Sequence, residues 1–186
     1  VLGHYQTALG EFDALLAHRD ASPAIRSTYL NVLGYRYPPQ AAWPRCQRYG
    51  ELFPEDAFGW AMCGYVALRG GDLPLAAQMF ERALETDPIH VEALRGAGVV
   101  HVHTGQLAEA ETYFRRGLAA QPPPKQAADL WYWLGEIRLA QNRLQEAAEC
   151  FEQALALNRE LVKARQRLDE LTAKRQVSAD RCGRTR

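Results

Sequence analysis

The segment GDLPLAAQMFERALETDP at residues 71–88 is answered 34 residues later by GQLAEAETYFRRGLAAQP at residues 105–122. Both carry a turn glycine, then an alanine, a phenylalanine and a small residue at helical spacing, then a closing proline. These are Gly71, Ala76, Phe80, Ala83 and Pro88 against Gly105, Ala110, Phe114, Gly117 and Pro122. Working outward, Ala8 and Ala42 precede Ala76 and Ala110 at the same step. Phe12 and Cys46 precede Phe80 and Phe114, Asp20 and Pro54 precede Pro88 and Pro122, and Gly3 and Tyr37 precede the turn glycines. After 37 residues the pattern returns as Ala147, Phe151, Leu155 and Arg159. The three extra residues fall in Gln121-Pro122-Pro123-Pro124-Lys125, which reads as a loop. A fixed period of this size marks a stack of supersecondary units, none able to bury its apolar face alone.

Each column has a physical reason. Gly64, Gly98 and Gly135 let a first helix approach its neighbour closely, at some cost in helix propensity. Ala76, Ala110 and Ala147 do the same for the second helix without that cost. Phe80, Phe114 and Phe151 fill the wedge between helices. Gly71 and Gly105 suit the left-handed conformation that ends a helix, and Asn142 takes that role less well. Pro74, just after Asp72, is expected in a first helical turn, where it is allowed.

This unit resembles the tetratricopeptide repeat, whose signature runs Trp, Leu-Gly, Tyr, Ala, Phe, Ala and Pro across two antiparallel helices. One unit reads Trp60, Cys63-Gly64, Ala67, Ala76, Phe80, Ala83 and Pro88; the next reads Leu94, Ala97-Gly98, His101, Ala110, Phe114, Gly117 and Pro122. A third reads Trp131, Leu134-Gly135, Arg138, Ala147, Phe151 and Ala154, with Arg159 in place of the proline. The resemblance covers nearly the whole chain. It implies an all-α fold, a right-handed superhelical solenoid of antiparallel helix pairs, acting as a protein–protein interaction scaffold rather than an enzyme.

The expected organisation is the second helix of a truncated repeat at 1–22 and a degenerate repeat at 23–56. Repeats follow at 57–90, at 91–127 with the proline-rich insertion, and at 128–161, then a solvating helix at 162–175 and a basic disordered tail at 176–186. In the degenerate unit Arg26, Tyr29 and Leu30 stand where Trp, a small residue and Gly are expected. Tyr37-Pro38-Pro39 ends its first helix, and Pro44 forces the second to begin late or kink. Ala8, Phe12, Leu15 and Leu16 share one face of the opening helix, whose partner would lie before Val1. That uncovered face reads as a truncation, and self-association through it is a further expectation. Leu161, Ala164, Leu168 and Leu171 form one apolar stripe on the last helix, with charged residues elsewhere around it.

Composition excludes more than it selects. Across 186 residues, 22 Lys and Arg balance 22 Asp and Glu, which argues against a whole-chain electrostatic grip on nucleic acid or an anionic membrane. No apolar run approaches the roughly 18 residues of a membrane span. The basic tail, with five cations and one acid from Leu171 on, reads as solvated. Cys46, Cys63, Cys150 and Cys182 form no CxxC pair, so neither a zinc site nor a dense disulfide framework is expected. Cys46 and Cys63 read as small core hydrophobes, and the compartment as reducing and cytoplasmic. No GxxxxGK, HExxH or GxSxG motif occurs, and no cofactor is expected. His101 and His103 lie about 200° apart around a helix and cannot share a metal. The second-helix acids Glu109, Glu111, Glu146, Glu149 and Glu152 read as a solvated face.

In the family that the chain resembles, the first helices line a concave groove for a peptide or helix of a protein partner. Helical spacing places Phe58, Met62, Tyr65 and Arg69 on one wall, then Glu92, Arg95, Val99 and His103, then Asp129, Tyr132, Trp133 and Glu136, with Lys163 and Arg167 extending it. Aromatic and arginine side chains are the usual anchors of such interfaces. Some family members clamp acidic C-terminal tails with Lys and Asn. Arg95, Lys163 and Arg167 could supply the basic members, but Val99 and Trp133 stand at the asparagine positions, so that specificity is not expected. The alternative reading is a substrate-recruiting or regulatory arm of a larger enzyme, such as a glycosyltransferase or other transferase.

Overall fold

The computed structural model describes the backbone of residues 2–17 and 21–183. Among them every regular element is helical, as the period requires. The chain divides into two compact units, Val1–Val100 and His101–Arg186.

The first unit contains α1 (Leu2–Ala17), α2 (Pro23–Asn31), a π-helical turn (Val32–Arg36), α3 (Pro39–Leu52), α4 (Ala57–Arg69), α5 (Leu73–Thr86) and most of α6 (Val91–His103). Caps set the helix starts. Asp56 Oδ1 accepts the Gly59 N–H at 3.1 Å and Asp72 Oδ1 the Leu75 N–H at 3.0 Å, each worth about 1 kcal/mol. Pro74 stands in the first turn of α5, where its missing N–H costs nothing. Gly71 ends α4 with φ of 82°.

Phe80 is fully buried and wedges between α4 and α6. A Cβ on Gly64 would lie 2.6 Å from its ring and one on Gly96 2.2 Å, so both columns must be glycine here. Burial of such a ring stabilises by about 1.5–3 kcal/mol. One period upstream the sizes are exchanged: Cys46 stands in the Phe80 column and Met62 in the Gly96 column. Met62 is accordingly fully buried, packed on Gly34.

Of the two outcomes expected for Pro44 in the degenerate repeat, a late start is not seen: α3 starts at Pro39, with Pro38 and Pro39 at its N-terminus and Pro44 inside it. Pro39 is suited to a first turn, so the prolines start the helix rather than delay it. On α1 Leu9 is fully buried and Leu15 is 47% exposed. Phe12 keeps an inward role, edge-on to Tyr29 with ring centroids 5.9 Å apart. The side chains of Ala8 and Leu16 lie outside the described residues.

The second unit contains the end of α6, α7 (Leu107–Ala119), α8 (Pro124–Ala140), α9 (Leu144–Leu157) and α10 (Val162–Gly183). Phe114 and Phe151 are fully buried, and a Cβ on Gly135 would lie 2.5 Å from the Phe151 ring. Gly105 has φ of 78° and Asn142 of 58°, as the turn columns require; Gln121 joins them at 53°, ending α7. The proline-rich insertion is only partly loop. α8 begins at Pro124, and Gln126 and Ala127 donate to the Pro123 carbonyl, so the added residues extend the first helix to 17 residues. Ala164, Leu168 and Leu171 of α10 pack with Ala147, Phe151 and Ala154 of α9. The backbone of α10 continues as helix through Gly183, across most of the stretch expected as a tail; residues 184–186 lie outside the described residues.

Candidate functional site

On the first unit a polar-aromatic cluster gathers Tyr35 from the π-helical turn, Tyr65 from α4, and Glu92 and Arg95 from α6. Arg95 Nη2 donates to Glu92 Oε2 at 2.6 Å and to the Tyr35 hydroxyl at 3.1 Å. That hydroxyl donates to the same carboxylate at 3.2 Å. Tyr65 donates to the Glu92 carbonyl oxygen at 2.8 Å, and the Arg95 guanidinium lies 4.9 Å from the Tyr65 ring centre. Burial pushes the Tyr35 phenol up, helped by Glu92. Burial opposes the charge on Arg95, but Tyr65, Glu92 and Tyr35 outweigh it and keep the guanidinium protonated.

Of the first-unit wall, Met62, Tyr65 and Val99 are buried, because their columns face the neighbouring helix rather than solvent. They do not line an open surface. Arg69 is exposed, but its guanidinium donates to the Leu33 and Gly34 carbonyls at 3.3 and 3.1 Å. The π-helical turn spaces its bonds one residue wider, with Tyr37 N–H reaching the Val32 carbonyl at 2.8 Å, and Arg69 donates to carbonyls within it. Phe58 is half-buried, with its ring centre 6.1 Å from that of His90. Tyr35, 40% exposed, was missed by the repeat register because the tightly spaced prolines distort the unit that carries it.

On the second unit α8 and α10 present a row of opposed charges. Lys163 Nζ sits 2.8 Å from Asp129 Oδ1 and 4.4 Å from the Tyr132 ring centre. Arg167 grips Glu136 with two bonds, at 2.8 and 2.9 Å, and Glu170 with a third at 3.1 Å. Hydrogen bonds that Arg167 donates to Glu136 and then Glu170 hold its guanidinium above the ordinary range. Trp133 stacks on Phe114 at 6.1 Å between centroids and 13° between planes, and its indole N–H is buried with no acceptor among the described residues. Tyr132 is also buried, turned toward Phe151 at 5.7 Å, so of the aromatic pair Trp133 is the more open. Its neighbour's phenol, on Tyr132, is raised by burial. His103 is exposed; His101 stacks on Tyr113 at 5.2 Å and shares a hydrogen bond with Gln106 at 2.8 Å.

The helix-face acids are not all solvated, which corrects that reading. Arg138, a buried cation at the column where the signature has Tyr, donates twice to Glu111, at 2.9 and 2.6 Å, and reaches Glu146 at 3.5 Å. The Arg138 hydrogen bond draws the Glu111 carboxyl below its usual range. An arginine at the signature's Tyr column, which holds Ala67 and His101 in the two preceding units, was the signal available for this network.

Within each unit the geometry is that of paired helices that carry aromatic rings beside self-neutralised charges. The chain is similar to a segment of cellulose synthase operon protein C of Komagataeibacter xylinus, 38% identical over 79 residues. That match spans 42% of this chain and 6% of the relative, so the chain is a small fraction of the length of the curated proteins it matches. Among solved structures it is similar to a thermophilic TPR protein of Thermus thermophilus, with a TM-score of 0.72, 19% identity and 92% of each chain covered. The first TPR domain of Spaghetti (RPAP3), bound to the HSP90 peptide SRMEEVD, aligns with a TM-score of 0.58 and 18% identity, over 64% of this chain and 93% of that one. Tetratricopeptide repeat profiles match residues 63–124 and 128–161, together just over half of the sequence. With the 34-residue register and the helix pairs that realise it, these matches place the chain in the tetratricopeptide repeat family, typical of protein-interaction scaffolds.

Proposed function

We propose that this chain binds a peptide or helix of a protein partner on the inner faces of its repeats. The observation that carries the reading is the α8–α10 face, where Trp133, Lys163–Asp129 and Arg167–Glu136 alternate ring and ion pair on two rigid helices. A preformed face loses little ordering entropy on binding. Every cation on it already has an acidic neighbour, so it suits a partner of mixed charge that exchanges ion pairs. The SRMEEVD peptide of the RPAP3 complex is a poorer fit, because Arg95, Lys163 and Arg167 are each partnered by an acid here.

Selection from a displayed random-peptide library tests this. Binders should lose at least about tenfold in affinity to Lys163→Glu with Arg167→Glu, while helicity by circular dichroism is unchanged. Binders indifferent to that pair, or no enrichment at all, would refute the face as the site.

A second reading, favoured by the similarity to a short segment of a much longer cellulose synthase operon protein, is a recruiting arm within a larger assembly. Deleting residues 57–171 from the full reading frame should then abolish recruitment of its substrate or partner.

A further inference from the structure

Cys46 on α3 and Cys63 on α4 line one cavity of about 340 Å³, walled by Trp43, Trp60, Met79 and Arg82. Each residue is 1% exposed and neither is in a disulfide. The sequence explains the juxtaposition. Cys46 occupies the column held by Phe12, Phe80, Phe114 and Phe151 in the other units, and Cys63 the column of Ala97 and Leu134. Two thiols therefore face one cavity where other repeats bury only carbon.

We propose that Cys46 and Cys63 are a reversible oxidation site, closing to a disulfide between α3 and α4 when hydrogen peroxide enters the cavity. Thiols that line one cavity from neighbouring helices can close to the roughly 2.05 Å of a disulfide where their Cα atoms come within about 7 Å. A small oxidant is required, because both thiols are buried and a bulky disulfide reagent cannot reach them. The Cys46 thiolate attacks one peroxide oxygen and the O–O bond breaks, leaving a sulfenic acid and a hydroxide that takes up the displaced thiol proton as water. The Cys63 sulfur then attacks the sulfenic sulfur; the S–S bond forms, the S–O bond breaks, and the hydroxyl leaves with the Cys63 proton as a second water. Two thiols are oxidised and one peroxide is reduced. The neighbouring Cys46 thiol, and then burial, push the Cys63 thiol well above its ordinary range, which lowers its thiolate fraction and makes closure slow at neutral pH.

The test uses the whole chain carrying Cys150→Ser and Cys182→Ser, so that only the pair remains. After peroxide, alkylation and digestion, mass spectrometry should find a peptide linking Cys46 to Cys63, lighter by two hydrogens and separated by dithiothreitol. The unfolding midpoint should rise by on the order of 5 °C over the reduced chain. Recovery of both residues as alkylated thiols or sulfinic acids, with no linked peptide, overturns the proposal. Cys63→Ser should abolish the midpoint rise and leave Cys46 as a sulfenic acid that dimedone traps. A rise that survives Cys63→Ser also overturns it.

Discussion

Arg167 of α10 and Glu136 of α8 form a two-bonded pair, Nε to Oε1 at 2.8 Å and Nη2 to Oε2 at 2.9 Å. This pair ties the last helix to the preceding repeat and at the same time cancels a cation on the face assigned to partner binding. Glu136→Gln separates the two roles. Because Arg167 is more than a third exposed, the stability cost is expected to stay below about 1 kcal/mol by urea unfolding. Binding of acidic peptides should strengthen, with a steeper salt dependence, once the guanidinium is released.

Arg138 is the opposite case. Its side chain is 10% exposed and that of Glu111 15%, and the two are doubly bonded between α8 and α7. Arg138→Ala leaves Glu111 beside a cavity with the exposed Arg115, 2.6 Å away, as its remaining ion-pair partner, and should cost about 1–3 kcal/mol. Arg138→Met with Glu111→Leu should recover most of that loss, because a well-packed apolar pair replaces a paired charge without leaving an orphan. Equilibrium denaturation of the single and double variants checks both values.

Gly96 lies against the Phe80 ring, where an added Cβ would come within 2.2 Å. Gly96→Ala is therefore expected to destabilise by about 1–3 kcal/mol despite alanine's better helix propensity. Phe80→Leu in the same chain should restore part of the loss, giving a favourable coupling in a double-mutant cycle.

His90 precedes α6, and its Nδ1 accepts the Ala93 N–H at 3.3 Å. Burial lowers its pKa, against the attraction of Asp87, Glu92 and Asp56. The folded-state pKa thus lies below the unfolded value of about 6.5. The associated stability is complete above that pH and is lost as pH falls below it, because protonation costs more in the fold and removes the acceptor from the helix start. Thermal unfolding scanned from about pH 7.5 to about pH 5 should show a decline that His90→Asn, a cap without a proton to gain, reduces.

Much of the fold was legible in the sequence because a repeat states each packing rule several times. The Phe80, Phe114 and Phe151 column, the glycines at 64 and 135, and the turns at Gly71, Gly105 and Asn142 all behave as their spacing implied. The candidate site was less legible. Helical spacing fixed which residues share a stripe, but a stripe between two neighbours has no free side, so Met62, Tyr65, Val99 and Tyr132 are buried in the core.

Sequence by itself determined the helix pairs, their period and the identity of the wedge residues, since backbone conformation and apolar periodicity are local properties of the chain. Only the tertiary structure decided how charges and odd residues are used: Arg69 donating to carbonyls within a π-helical turn, Arg138 bridging to Glu111, and Cys46 and Cys63 lining one cavity. Those outcomes depend on which residues of different helices come within a few ångströms of one another. That is set by the fit of neighbouring side chains, in which Cys46 and Met62 exchange sizes with Phe80 and Gly96, and no single helix contains it.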